Sequence, residues 1–439
     1  MNELQEAPRN RRDTRSWAGM MSKIKSRVSA TTKKEMIEIW EALRIIRDNR
    51  PRPMVIKLPL LDALGRCLAV DIMAPEPSPR YTNSAMDGFA VRWCDVAIVA
   101  GGDPTTLAIG GESQAGIPFS GTCLSGQAIK ISTGAMLPKG ADTVVRVEDT
   151  QTEDSRVTVL RAENKGQDIR KAGEEFTVGD VLLAKGTALQ APQLGLLASV
   201  GINEVAVYYP PHISLVVTGT ELAAPGGPVA PHQIRDSNSI MLTAAVRQSG
   251  GEVVARHYAG DTLEETVAVI RKSMDKAGIV LVTGGVSMGE HDHVKEAARE
   301  CGFVELFWRV KQKPGKPLFF ARRGDCLLFG LPGNPVSGFM CFMYYIQPLL
   351  RSLQGREFSW RIAKARFDRP FENRGNRTNF MRISLGEKQH GFRPAEVLAK
   401  QGSHMLVSIA RADGFIIMEP GEGISEGSFK DVYLFPWRM

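Results

Sequence analysis

Five short clusters in this chain combine glycine, hydroxyl and charged residues in ways suited to binding an anion. They are Thr218-Gly219-Thr220-Glu221, Gly260-Asp261-Thr262, Thr283-Gly284-Gly285-Val286-Ser287-Met288-Gly289, Lys311-Gln312-Lys313-Pro314-Gly315-Lys316-Pro317 and Leu331-Pro332-Gly333-Asn334-Pro335. Gly-rich turns let backbone N–H groups approach phosphate oxygens, and a helix N-terminus behind such a turn adds a favourable dipole. Lys313 and Lys316 flank a Pro-Gly turn, so two ammonium groups serve one side and could neutralise a phosphate, a pyrophosphate or an oxyanion. Glu221, Asp261 and Asp292 fall on three different loops. Carboxylates next to phosphates suit a hydrated Mg²⁺, which takes a few protein oxygens and completes its shell with substrate phosphates. Without a metal, such a set would repel the ligand. The sequence holds neither G-x-G-x-x-G nor G-x-x-x-x-G-K-[ST], which disfavours a nicotinamide site and a P-loop ATPase. His291-Asp292-His293 has no clustered soft ligands beside it, so a zinc site is not expected.

These clusters need elements that bring them to one place. From 212 to 352, apolar strand-like runs alternate with helical patterns: strands over His212–Val217, Glu252–Tyr258, Ile279–Val282, Phe303–Val310, Leu318–Ala321 and Cys326–Phe329, and helices over Ser237–Gln248, Leu263–Lys276, Val294–Cys301 and Val336–Leu350. Thr262 is placed to cap the second helix. The alternation predicts an α/β domain with a mostly parallel sheet, in which ligands bind at the carboxyl ends of the strands. All five clusters sit at strand exits.

The fold class is therefore multidomain, α/β and β: a central α/β domain, a β-rich domain, an N-terminal helical/β domain and a small C-terminal β domain. The expected partition is a flexible basic arm 1–31, domain I 32–77 plus 166–209, β-rich domain II 78–165, α/β domain III 210–356 and β domain IV 357–439. An amphipathic helix is expected to start at Thr31 or Thr32 and to run through Met36, Ile37, Ile39, Trp40, Leu43 and Ile46 until Arg50-Pro51. In the β-rich region, Asn83-Ser84-Ala85-Met86-Asp87-Gly88 reads either as a hairpin turn or as part of a site. Ile131-Ser132-Thr133-Gly134-Ala135 either supplies anion donors or merely turns the chain.

Composition narrows the class. The net charge is +7, but residues 1–34 carry nine basic and three acidic side chains, so the remainder is nearly neutral. Trp17 is the arm's sole aromatic, which argues against nucleic-acid stacking. The six scattered cysteines form no C-x-x-C pair, and no apolar run is long enough to span a bilayer. A cytoplasmic location is expected.

In chain order, Ser84-Ala85-Met86-Asp87-Gly88, Ser132-Thr133-Gly134-Ala135, Thr283-Gly284-Gly285-Val286-Ser287, Lys313-Pro314-Gly315-Lys316-Pro317 and Gly330-Leu331-Pro332-Gly333-Asn334-Pro335-Val336-Ser337 form an ordered set. Over about residues 32–439 the chain resembles the molybdopterin molybdenumtransferase family, MoeA in bacteria and the E domain of gephyrin in animals. The resemblance implies insertion of molybdate into adenylylated molybdopterin with Mg²⁺, yielding molybdenum cofactor and AMP. It implies an elongated homodimer whose site is shared between subunits, with the molybdopterin adenylyltransferase and acceptor molybdoenzymes as partners.

Carried over by motif, Asp87 and Thr133 belong to the cross-subunit part of the site. Glu221, Asp261 and Asp292 surround the metal or the pyrophosphate, with Glu175 as a further metal ligand. Lys313 and Lys316 hold molybdate or phosphate. Thr218, Gly219, Thr283, Gly284, Gly285, Ser287, Gly333, Asn334 and Pro335 shape the pterin pocket. Electrostatic positioning, without a covalent nucleophile, is the expected mode of catalysis. Three positions depart from the family pattern. Thr220 stands where an Asp is usual, Glu175 replaces the Asp of Gly-Glu-Asp, and Thr82 replaces the Asp before Asn83. Two readings stand beside the enzyme: a non-catalytic pterin-binding or scaffold paralogue, and a tungstate-using variant.

Overall fold

The computed structural model describes residues 36–223, 226–287, 292–388 and 392–437. The arm 1–31, the expected caps Thr31 and Thr32, and Met288, Gly289 and His291 lie outside the described residues. The chain forms two compact units: one comprises the described residues up to Arg52, Pro211–Arg351 and Glu357 onward, the other Pro53–Pro210 and Ser352–Arg356.

This division joins the bulk of expected domains I and II in one unit and of domains III and IV in the other, and moves two segments. The helix assigned to domain I belongs instead to the unit holding the α/β domain, and Ser352–Arg356 leaves that unit. The helix spans Ile39–Asp48 and buries Ile39, Ala42, Leu43 and Ile46, the spacing of one amphipathic stripe. It starts at Ile39, later than the capping threonines suggested. Ile37 is extended instead, forming a parallel bridge with Val310, and its N–H donates to the Arg309 carbonyl. Glu38 pairs with Lys311 at 3.0 Å, and Arg322 reaches Asn49.

The α/β domain is built on a six-stranded sheet. Its strands are β1 His212–Thr218, β2 Glu252–Ala259, β3 Ile279–Thr283, β4 Val304–Trp308, β5 Phe319–Arg323 and β6 Cys326–Leu331. The order is β2-β1-β3-β6-β5-β4. Strands β2, β1, β3 and β6 are parallel. β5 runs antiparallel to both β6 and β4, so β4 points the same way as the parallel set. The exits of β1, β2, β3, β4 and β6 therefore share one edge of the sheet. β1 and β3 are buried almost throughout, as continuous apolar runs covered on both faces should be.

Helices α1 Asn238–Gln248, α2 Leu263–Met274 and α3 Val294–Glu300 cross between strands. Thr262 caps α2 by accepting from Glu265 N–H at 3.3 Å. The expected long helix after β6 is interrupted: α4 Pro335–Cys341 passes through a π turn, Phe342–Ile346, into Gln347–Leu353.

The C-terminal strands Ile362–Phe367, Thr378–Leu385, Arg393–Val397, Gly414–Met418 and Ser428–Leu434 pair in a closed ring. Closure makes this a small barrel with no free edge among its five strands. Phe367, Met381, Ile383, Ile416 and Met418 fill its interior. On the outer wall, Phe380 packs against Tyr344 at 4.8 Å and Tyr344 stacks on Trp360 at 5.0 Å. This aromatic seam fixes the barrel to the π turn of the α/β domain.

The second unit contains a six-stranded sheet, ordered Thr143–Arg146, Gly88–Val91, Gln127–Ile131, Thr105–Ser113, Arg156–Val159 and Thr150–Glu153. A second core gathers Leu68, Leu189, Leu197, Val205 and Val207 around the helix Ala191–Ser199 and the strand pair Val55–Pro59 with Glu204–Tyr208. Among the described residues, no helix is long and apolar enough to cross a membrane.

Candidate active site

The shared edge of the α/β sheet forms a cavity of about 680 Å³. Its lining includes Thr218, Gly219, Glu221, Asp261, Thr283, Gly284, Gly285, Ser287, Asp292, Gly333, Asn334 and Pro335. Chain reversals at four strand exits thus bring together residues spread over more than a hundred positions. The sequence reading missed Arg235, Asp236, Ser237, Asn238 and His404, which line it as well.

Glycines set the close approaches. A Cβ on Gly219 would lie 2.4 Å from a carboxylate oxygen of Glu221, and the residue sits at φ +127°. The Glu221 carboxylate therefore folds back over bare backbone. A Cβ on Gly284 would lie 2.5 Å from Thr218 Oγ1, at φ +95°. The Gly284 N–H already donates to the Leu331 carbonyl at 3.0 Å, so this glycine supplies room and not an anion donor.

Polar ties hold the walls. Asn238 Nδ2 donates to Thr283 Oγ1 at 2.9 Å and to the Gly333 carbonyl at 2.7 Å, linking the exits of β3 and β6. Asp236 is buried and accepts from Ser239 N–H and from the Tyr258 hydroxyl. Thr220, at the position where a carboxylate was expected, donates both its N–H (3.1 Å) and its hydroxyl (2.6 Å) to Asp261 Oδ2. A donor in that place fixes the orientation of Asp261, where a second acid would repel it.

Charge in the cavity is dominated by Glu221, Asp236, Asp261 and Asp292. Among the described lining residues, Arg235 is the sole lysine or arginine, and its Nη1 donates to the Gly227 carbonyl at 2.7 Å. An anionic ligand therefore needs further positive charge there.

The lysines of the 311–317 loop lie elsewhere on the same unit. Pro317 lines the main cavity, whereas Lys313 lines a separate cavity of about 300 Å³ together with Arg374, Arg377 and Asn379 of the barrel. Lys316 is half-buried and lines neither. The turn is supported from below by Gln312, which is fully buried. The Tyr345 hydroxyl donates to Gln312 Oε1, and Gln312 Nε2 donates to the Gly315 carbonyl at 3.0 Å and approaches Cys341 Sγ at 3.4 Å. Burial pushes the Cys341 thiol up to about 12.

In the second unit, Thr133 donates its N–H (2.6 Å) and its hydroxyl (2.9 Å) to Asp87 Oδ1. These two bonds, the backbone one first, hold the Asp87 carboxyl below the usual carboxylate range. The motif loop is braced by the Asp168 carbonyl, which accepts from Ala85 N–H, while the Asp168 carboxylate is gripped in a two-pronged bond by Arg146. Glu175 accepts from the Ser78 hydroxyl at 2.8 Å.

Three sequence families match this chain in succession. The MoeA N-terminal region (domain I and II) covers residues 37–201, a probable molybdopterin binding domain covers 214–352, and the MoeA C-terminal region (domain IV) covers 364–435. The molybdopterin molybdenumtransferase of Haemophilus influenzae is 34% identical over 393 residues, spanning 88% of this chain and 96% of that protein. That of Bacillus subtilis is 32% identical over 421 residues, spanning 93% and 98%. This chain belongs to the molybdopterin molybdenumtransferase (MoeA) family. Two structures of the MoeA protein from Pyrococcus horikoshii align with TM-scores of 0.79 and 0.75, at 29% and 28% identity, each covering 91% of this chain and 99% and 100% of theirs.

Family membership makes the 680 Å³ cavity, whose lining residues other than His404 all fall within the molybdopterin-binding match, the leading candidate site. Asp87, Thr133 and Glu175 fall within the MoeA N-terminal match. Of the residues the sequence reading missed, Arg235-Asp236-Ser237-Asn238 carried a usable signal, since a charged and hydroxyl-rich run directly precedes α1. His404 carried none, because it reaches the cavity from the C-terminal region.

Proposed function

We propose that this MoeA-family chain inserts molybdate into adenylylated molybdopterin, releasing AMP and molybdenum cofactor. The observation that carries this reading is the cavity at the strand exits of the molybdopterin-binding domain, walled by Thr218, Thr283 and the Gly333-Asn334-Pro335 turn and edged by three carboxylates on separate loops.

The donor set suits Mg²⁺. Glu221, Asp261 and Asp292 offer hard oxygens from three separate loops, and among the described residues no three acidic, histidine or cysteine side chains converge tightly enough to hold a metal unaided. That matches an ion completed by substrate phosphates and water, not one caged by protein. Glu221, Asp261 and Asp292 are the residues that would hold it, with Glu175 as a proposed contributor. When bound, Mg²⁺ would offset the charge that builds on the phosphate leaving group. Thr220 keeps Asp261 oriented toward that role. Asn238 holds the two pocket walls at fixed separation, so the pterin and the phosphates are bound in one register. Lys313, which shares its cavity with Arg374 and Arg377, is proposed to receive molybdate, with Lys316 as a proposed second cation from the same turn. Asp87 and Thr133 are proposed to complete the site from the other subunit of a homodimer, and the adenylyltransferase and acceptor molybdoenzymes are the proposed partners before and after the reaction.

The test is reconstitution: purified protein, adenylylated molybdopterin, molybdate and Mg²⁺, with AMP release and cofactor formation measured. Turnover supports the enzyme. Tight pterin binding with no AMP release would assign the chain to the scaffold reading, and a preference for tungstate over molybdate to the tungstate reading.

A further inference from the structure

His404 reaches the main cavity from the loop 399–405, which follows a barrel strand. Several contacts make that loop rigid. Arg382, on the barrel strand Thr378–Leu385, is fully buried, and Arg382 Nη2 lies 3.4 Å from the Lys400 carbonyl and 3.3 Å from the Gly402 carbonyl. Gln401 returns two bonds to the Arg382 backbone: its Oε1 accepts from Arg382 N–H at 3.1 Å, and its Nε2 donates to the Arg382 carbonyl at 2.9 Å. The Ser403 carbonyl accepts from Val336 N–H at 3.1 Å, tying the loop to the first turn of α4 beside Asn334 and Pro335. A buried guanidinium without a carboxylate partner is unfavourable, and burial lowers the Arg382 pKa to about 10. Such a cost is consistent with a loop whose placement matters.

The imidazole that this loop presents is exposed and makes no hydrogen bond among the described residues. The same cavity is lined by Glu221, Asp236, Asp261 and Asp292, with Arg235 turned toward the Gly227 carbonyl. Lys400 and the buried Arg382 lie on the loop's own side. An anhydride-linked, doubly phosphorylated ligand entering this cavity meets more negative than positive charge. An unpartnered imidazole at the wall is the group placed to donate to a phosphate oxygen.

We propose that His404 is a substrate-contact residue that donates a hydrogen bond to the phosphate group of the bound nucleotide-linked substrate. The inference rests on the function proposed above. The experiment compares wild type with His404→Gln, His404→Ala and His404→Lys, measuring KM and kcat for adenylylated molybdopterin and, separately, AMP binding by calorimetry. His404→Ala, which removes the donor, is expected to raise KM and to weaken AMP about tenfold, the scale of one charge-assisted hydrogen bond, and His404→Gln, which keeps a side-chain N–H, is expected to lose less. His404→Lys supplies an N–H donor again and is expected to bring both within about threefold of wild type, by the same reasoning. Wild-type KM and AMP affinity in His404→Ala would overturn the proposal while leaving the function intact. Absence of turnover in wild type would overturn the function, and AMP binding to the two proteins would still decide the role of His404. Because the side chain is exposed, these variants are expected to fold, and a melting temperature equal to wild type checks it.

Discussion

Gln312 offers the sharpest test of how the lysine-bearing turn is held. Its side chain is fully buried and joins the Tyr345 hydroxyl to the Gly315 carbonyl and the Cys341 thiol. Gln312→Leu keeps the volume close and removes every one of these bonds. The Tyr345 hydroxyl is then buried without an acceptor. The Gly315 carbonyl keeps only the weak approach of Cys341 Sγ at 3.6 Å. Each buried orphan costs about 1–3 kcal/mol, so the variant is expected to lose about 2–5 kcal/mol. Tyr345→Phe leaves Gln312 Oε1 alone unpaired and is expected to lose about 1–2 kcal/mol. In Gln312→Leu with Tyr345→Phe the orphaned hydroxyl is gone, so the double variant should be less destabilised than the sum of the singles by about 1–2 kcal/mol. Urea denaturation of the four proteins measures this, and hydrogen exchange in the 310–316 segment localises it. Strict additivity would refute the network. A further consequence follows for activity: Gln312→Leu should raise KM for molybdate several-fold and leave KM for the pterin substrate unchanged.

Gly284→Ala forces a Cβ to 2.5 Å from Thr218 Oγ1 at a left-handed backbone angle, so a loss of about 2–4 kcal/mol in stability is expected, read by thermal unfolding. A wild-type melting curve would show that the loop relaxes freely. Asn238→Ala removes bonds of 2.9 and 2.7 Å between two pocket walls and should cost about 1–3 kcal/mol while weakening AMP binding, measured by denaturation and calorimetry. Thr133→Val deletes the hydroxyl bond to Asp87 and keeps the stronger backbone one. The Asp87 pKa is depressed in the folded protein, so its stabilising bonds are present above the unfolded-state pKa and are lost as pH falls through the folded value. The variant should therefore protonate Asp87 at higher pH than wild type, seen by carboxyl NMR titration, and an unmoved titration would discount the hydroxyl.

The α/β domain was legible because its pattern is local. Apolar runs buried on both faces, such as Ile279–Thr283, alternate with capped helices such as Leu263–Met274, and both periodicities are written in consecutive residues. Glycines at positive φ, Gly219, Gly284 and Gly285, marked where the chain turns and approaches closely. The helix does not run continuously through Ile37, as its local spacing suggested, because Ile37 is drawn into extended pairing with Val310 by a segment far away in sequence. The two lysines illustrate the same limit. Their spacing around Pro-Gly suggested one target, yet parallel pairing of Gln312-Lys313 with Thr378-Asn379 turns Lys313 toward the barrel.

By itself, the sequence determined the family and the residue types available for anion binding, because those depend on motifs and short-range periodicity. Tertiary structure decided which of those residues share a cavity. The direction of β4 and β6 relative to β1 placed the exits of the sheet on one edge. Barrel closure and the Arg382 contacts brought His404 to the cavity wall, and a threonine at position 220 became a donor to Asp261. Each of these outcomes rests on contacts between residues remote in the chain, where strand pairing and burial, not local propensity, choose the neighbours.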